Sequence, residues 1–278
     1  MTETESEPAM SRPPAAARER FDALGFSEPH YDRWIALWSR YYDHWLRVEV
    51  EGLDNIPDVG SALLVGNHAG YPTVDAMMLQ VAVRRHHHAH RAVRPLVHVG
   101  IQKQPAMGYL LCQCGGGVVG HPRNADYLVE KGELMLIYPE GSHASAKTFR
   151  ERHQLRPVEQ FSRGFVNVAL KHDVPVIPVA TIGCETAIPT LGHSRMLGKW
   201  FGMDDGLFPL SPQTLLMLPA PMWGLFLPFP IKCRIRVGPP LNMKELVRNT
   251  GSTTDAGREV RRLIQAEVDE LLKRRRRE

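Results

Sequence analysis

Several signatures are missing from this 278-residue chain. The first twenty residues hold no apolar run of signal-peptide type. The four cysteines, Cys112, Cys114, Cys184 and Cys233, do not form two matched pairs, so they spell no metal framework. Free thiols, buried or partly buried, in a reducing cytosol are the expectation. The net charge is only +4 and the pI about 8.9, too weakly basic for nucleic acid but suited to an anionic membrane surface or a phosphorylated substrate. There is no G-x-x-x-x-G-K-[ST] phosphate loop and no internal repeat. Nor is there a G-x-S-x-G elbow, which argues against a Ser–His–Asp lipid hydrolase. Residues 206–231 are uncharged over a membrane-spanning length, yet they contain six prolines. One proline inside a helix costs about 3 kcal/mol, so no transmembrane helix is expected there. An irregular apolar loop remains, covering a core or touching lipid.

What is present suffices for a core: 43% of residues are hydrophobic and 23% charged. Residues 1–20 read as a disordered tail. Residues 21–46 read as an amphipathic helix, with Tyr31, Trp34, Ile35, Trp38, Tyr41, Tyr42 and Trp45 at three- and four-residue steps. Two placements stand open for it: packing on a core, or lying at a lipid interface. Apolar runs at 61–66, 95–99, 134–138, 175–181 and 232–237 then alternate with helix-like stretches near 73–84, 123–131 and 162–171. This alternation predicts a single α/β domain over 47–240, with a mixed, largely parallel sheet flanked by helices. Residues 241–278 form a C-terminal helical segment, amphipathic over 255–274, ending in a basic tail from Lys273 to Arg277. The tail is either solvated or drawn to anionic headgroups.

Chemistry concentrates in 61-SALLVGNHAGYPTVDAMML-79. An apolar strand runs into Gly66-Asn67-His68, and Gly70 and Pro72 break its regularity. Thr73 is placed to cap the following helix, and Asp75 falls in that helix's first turn. His68 therefore stands at the C-terminal end of a strand, where α/β folds place ligands, with a carboxylate close enough to orient it. A histidine held by a carboxylate is a general base worth roughly 10²–10⁴-fold in rate. Against a good electrophile such as a thioester, it needs no protein nucleophile. Residue type alone also admits Asp75 as a complement to the helix dipole and His68 as a structural residue. His86, His87, His88 and His90 lie among Arg84, Arg85 and Arg91 with no carboxylate nearby in sequence, so they read as a solvated loop and not a metal site. Glu185 follows the 175–181 strand and is expected to face the site.

Asn67-His68 with Asp75, then Tyr138-Pro139-Glu140-Gly141-Ser142 after a strand, then 174-VPVIPVA-180 resemble three blocks of the glycerolipid (lysophospholipid) acyltransferase family. The resemblance is to its 1-acylglycerol-3-phosphate acyltransferase type and covers roughly residues 46–240. It implies His68 and Asp75 as the catalytic pair and Glu140, Gly141 and Ser142 as acceptor-binding residues; an acidic turn residue is the plain alternative for Glu140. A further block resembles 116-GGVVGHPRNA-125 and makes Arg123 a phosphate or headgroup ligand, or else a surface residue opening a helix. Two departures stand out. The His-to-Asp gap holds six residues instead of four, as in a long-gap subgroup, and His143 replaces an arginine whose fork would grip phosphate. Lys147, Arg150 and Arg152 lie downstream as substitute phosphate contacts. The implied reaction is O-acyl transfer from acyl-CoA or an acyl-carrier protein to a lysophospholipid or related glycerolipid. The implied setting is peripheral, on the cytoplasmic face of a membrane surface, with no further cofactor, no metal and no nucleic acid. A neutral acceptor, mono- or diacylglycerol, and a non-catalytic lipid-binding protein on the same scaffold are the competing readings.

Overall fold

The computed structural model describes residues 21–69, 73–102, 108–141, 144, 147–200, 208–217 and 228–278. The tail 1–20 and Gly70, Pro72, Ser142 and His143 lie outside the described residues, as does part of 206–231. The apolar runs form strands β2 (Ala62–Gly66), β3 (Val93–Val97), β5 (Leu134–Ile137), β6 (Val176–Ile182) and β9 (Arg234–Val237), joined by short strands β1 (Glu49–Glu51) and β4 (Val118–Val119). Their order in the sheet is β1-β9-β6-β2-β5-β3-β4. β6, β2, β5, β3 and β4 are mutually parallel. β9 runs antiparallel to β6 and carries β1 parallel to itself. The sheet is thus mixed and largely parallel, as the alternation predicts. β7 (Gly192–Ser194) and β8 (Phe208–Leu210) form a separate antiparallel pair.

The period-2 alternation of each strand feeds two cores. Ala62, Leu64, Leu134, Leu136, Ile177 and Val179 pack against α1 (Glu28–Arg40) and α2 (Val74–His86). Leu63, Val65, Met135 and Ala180 face α3 (Pro122–Glu130), α4 (Gly164–His172), α5 (Met243–Thr250) and α6 (Thr253–Arg277). α2 is buried all round from Val74 to Val83, because α1 packs over the side turned away from the sheet.

Burial bears on the two placements left open for the aromatic helix. Tyr31, Trp34, Ile35, Trp38 and Tyr42 pack in the core, while Leu37 and Trp45 of the same segment are exposed. The Tyr31 hydroxyl accepts from Val93 N–H at 3.1 Å, and burial lifts its pKa well above the usual phenol value. Trp34 Nε1 donates to Gln80 Oε1 at 3.1 Å, while Gln80 Nε2 donates to Val93 O and Gly115 O at 3.0 and 2.6 Å. One buried amide therefore ties α1, α2, β3 and the glycine turn together.

At the other end, Val260, Ile264, Val268 and Leu271 of α6 are buried against the second face of the sheet. Part of the basic C-terminal stretch is neutralised: Arg274 reaches Glu51 at 3.2 Å. Among the described residues, no helix is long and apolar enough to cross a membrane.

Candidate active site

The C-terminal ends of β2 and β5 deliver the candidate residues to one edge of the sheet. Gly66 closes β2 where a Cβ would stand 3.0 Å from Tyr138 Cε1 and 3.3 Å from Val179 O, so a side chain there would push these neighbours back by a few tenths of an ångström. Asn67, buried, exchanges two hydrogen bonds with the backbone of Thr181, donating at 2.9 Å and accepting at 2.8 Å. That clamp ties the end of β2 to β6 and fixes where the next residue projects.

His68 Nδ1 lies 2.8 Å from Asp75 Oδ2. Asp75 is fully buried, and the same oxygen accepts from Ala69 N–H at 2.7 Å, with Oδ1 accepting from Ala76 N–H at 2.9 Å. A carboxylate so held places the proton of His68 on Nδ1 and leaves Nε2 as the basic nitrogen. The six-residue gap brings the two side chains into contact. Thr73, expected as a capping residue, makes no side-chain cap bond and instead takes φ +80°, a left-handed conformation that is strained for a β-branched residue. The helix start is served by Asp75 instead.

Tyr138 stacks on the His68 ring, centroids 4.6 Å apart and planes 8° from parallel. Burial first, then the nearby Asp75 carboxylate, hold the Tyr138 hydroxyl well above its usual pKa, so it stays a neutral phenol. Behind His68, Glu140 is fully buried. Its Oε2 accepts from His68 N–H at 3.0 Å, and its Oε1 accepts from Arg156 N–H at 2.6 Å and meets Lys147 Nζ at 2.5 Å. Burial pulls the Lys147 pKa down against the opposing pull of Glu140. In front of His68 opens a cavity of about 740 Å³, walled largely by apolar side chains such as Met77, Leu96, Ile101, Leu111 and Phe165.

Residues 47–182, which contain this whole constellation, match the family model described as Acyltransferase. This stretch belongs to the acyltransferase family. Its fold is also that of the 1-acyl-sn-glycerophosphate (LPA) acyltransferase PlsC from Thermotoga maritima, with TM-score 0.53 at 18% identity over 87% of this chain and 79% of that one. An uncharacterised Mycobacterium tuberculosis protein is 37% identical over 223 residues, 79% of this chain and 59% of its own length. A human protein named DGAT1/2-independent enzyme synthesizing storage lipids is 28% identical over 209 residues, 74% of this chain and 57% of its own. The chain spans under three-fifths of these curated relatives' length.

Other expected site residues are placed less centrally. Gly141 takes φ +51° in an exposed turn after Glu140, and its N–H is bonded to Tyr138 O at 2.9 Å. Ser142 lies outside the described residues. Arg123 sits on the first turn of α3 with an exposed side chain, beside the cavity and not among its lining residues. Glu185 is buried 3.3 Å from His153 and does not line the cavity either. Lys147, read from sequence as a phosphate contact, is buried against Glu140, and Arg152 packs over the Phe149 ring.

The histidine tract needs correction. The fold brings Asp58 beside His87 and His88, a carboxylate distant in sequence, and His87 is buried instead of solvated. Both His87 nitrogens are engaged: Ala89 N–H donates to Nδ1 at 3.2 Å and Nε2 lies 3.0 Å from Ile56 O. All four cysteines are free thiols, buried or partly buried as expected, with Cys184 and Cys233 Sγ atoms 3.1 Å apart.

Proposed function

We propose that this acyltransferase moves a fatty acyl group from an acyl thioester, acyl-CoA or an acyl-carrier protein, to the hydroxyl of a lysophospholipid or related glycerolipid, working peripherally at a membrane surface. The observation that carries this reading is the 2.8 Å His68–Asp75 contact at the wall of a large apolar cavity. His68 Nε2 takes the acceptor hydroxyl's proton as its oxygen attacks the thioester carbonyl carbon. The tetrahedral oxyanion then collapses, the C–S bond breaks, and the imidazolium returns the proton to the leaving thiolate as a free thiol. Asp75 stabilises the imidazolium between these two steps. The apolar wall suits an acyl chain. Tyr138, stacked flat on the imidazole, and Glu140, bonded to the His68 backbone, limit the ring's freedom. A neutral acceptor, mono- or diacylglycerol, is the second reading, favoured by the storage-lipid name of the human relative.

The test is direct. Purified protein with vesicles, labelled acyl-CoA and a panel of lysophospholipids and acylglycerols should form labelled product. His68→Ala should lower kcat/KM by at least ~10²-fold with the fold retained. Undiminished transfer by that variant would sink the mechanism.

A further inference from the structure

Two buried thiols take no part in the chemistry proposed above. Cys184 and Cys233 stand 49 positions apart in sequence, yet their Sγ atoms lie 3.1 Å from each other. A disulfide bond is shorter than that by only about 1 Å. Both side chains are buried, and neither lines the cavity.

The backbone explains the approach. β6 and β9 run antiparallel with Ile182 opposite Arg234, so the chain leaves and re-enters the sheet side by side. Gly183 then turns at φ +101°, where an added Cβ would stand 2.5 Å from Lys232 O and 2.9 Å from Cys233 Cα. The left-handed φ and the close approach both demand glycine. A side chain at 183 would push the two strand ends apart, and the sulfurs with them. Cys184 follows at once, opening the short helix Cys184–Ala187. On the other side, Cys233 N–H donates to Leu46 O at 2.9 Å, which seats it just before β9.

Between the two cysteines the chain leaves the large sheet for the β7–β8 pair and returns to it only at β9. Hydrogen bonds tie this excursion near its base: Phe229 N–H and Gln213 Nε2 both donate to Ala187 O, at 2.7 and 2.9 Å. A cross-link that closes so long an excursion removes more freedom from the unfolded chain than one closing a short loop. Its ends already meet in the native fold, so little native geometry has to move. Access is the slow part. The neighbouring Cys233 first, and burial second, hold the Cys184 thiol well above its usual pKa, so thiolate is scarce while this edge is closed. Exchange waits on the edge opening, and the bond once formed is shielded from attacking thiols.

We propose that Cys184 and Cys233 are a cross-linking site, closed into a disulfide by a low-molecular-weight disulfide and reopened by excess thiol. One cysteine attacks the small disulfide as its thiolate, forming a mixed disulfide and releasing a small thiolate that takes up a proton. The other cysteine, as thiolate, attacks the protein sulfur of that mixed disulfide; the second small thiolate leaves and takes up the second proton. Two protein thiols are thereby oxidised, and one small disulfide is reduced to two thiols. The bond joins β6 to β9 three residues beyond Thr181, whose backbone anchors Asn67, so it braces the strand end behind the catalytic loop.

The experiment uses the full chain, purified with a reductant and then freed of it. It is incubated with oxidised glutathione just below its melting temperature, so that the edge opens, and is then mapped without reduction by peptide mass spectrometry. The expected product is a pair of peptides joined through Cys184 and Cys233, lighter by two hydrogens than the separate peptides. The melting temperature should rise by at least ~3 °C on oxidation and fall back on reduction. Cys184→Ala with Cys233→Ala should abolish the rise, and Cys112→Ala with Cys114→Ala should retain it. Should the first double variant fail to fold, the peptide map and melting temperature of the wild type decide alone. Cys184 and Cys233 recovered as thiols or as glutathione adducts, or a joined product that melts no higher than the reduced chain, overturns the proposal.

Discussion

Glu140 shows how far a residue's place can differ from what its motif suggests. After a strand and before a glycine it reads as an acceptor ligand, yet its carboxylate is fully buried and engaged by His68 N–H, Arg156 N–H and Lys147. His68 and Arg156 lie 72 and 16 residues away, so only the folded chain brings them to Glu140. The His68–Asp75 pair was legible because both members belong to one short loop, seven residues apart. Removing Glu140 alone strands the Lys147 cation, which predicts a loss of about 3–5 kcal/mol in Glu140→Leu. Adding Lys147→Met should recover much of that stability in urea titrations, because a buried pair is replaceable by apolar groups. Activity should stay low in the double variant, since the His68 backbone N–H still lacks its acceptor. Equal recovery of stability and rate would show that Glu140 has no hold on the catalytic loop.

At the scale of elements, the long buried strands were readable and the short ones were not. β2, buried along all five residues, and β6, along all seven, announce themselves as continuous apolar runs. β1 is Glu-Val-Glu at the sheet edge, and its register sets Glu49 and Glu51 against Arg234 and Arg236. Its pairing is written in charges contributed from β9, which periodicity does not detect. The aromatic helix is the opposite case: its period was plain, but period alone cannot say whether an apolar face meets protein or lipid. Burial of Trp34 and its bond to Gln80 answer that. Trp34→Ala should therefore destabilise the protein by about 3–5 kcal/mol, read by chemical denaturation, as a core truncation does. A change in vesicle binding with stability intact would return the helix to the lipid interface.

Taken whole, the molecule buries most of the aromatic side chains of α1 and shows apolar side chains elsewhere. Leu191, Met196, Trp200, Leu215 and Leu216 are exposed, Leu216 by 82% and Met196 by 77%, on the segment that follows β6 and carries the β7–β8 pair. Arg195 and Lys199 stand among them on the helix Arg195–Trp200. This segment joins the catalytic edge of the sheet, where Phe149 N–H donates to Thr190 O at 2.9 Å, beyond the loop that carries Glu140 and Lys147. Apolar side chains interspersed with cations are what an anionic bilayer recognises: the side chains enter the acyl boundary while the cations stay among the headgroups. Under the proposed function the acceptor arrives from the bilayer, so the surface that meets lipid belongs on the cavity's side of the sheet. Met196→Asp with Leu216→Asp should then cut sedimentation with phosphatidylglycerol vesicles by at least tenfold and lower transfer to vesicle-borne acceptors. Transfer to an acceptor presented in detergent micelles should persist, because His68, Asp75 and the cavity are untouched. Vesicle binding unchanged by both substitutions would mean that this face does not meet the membrane.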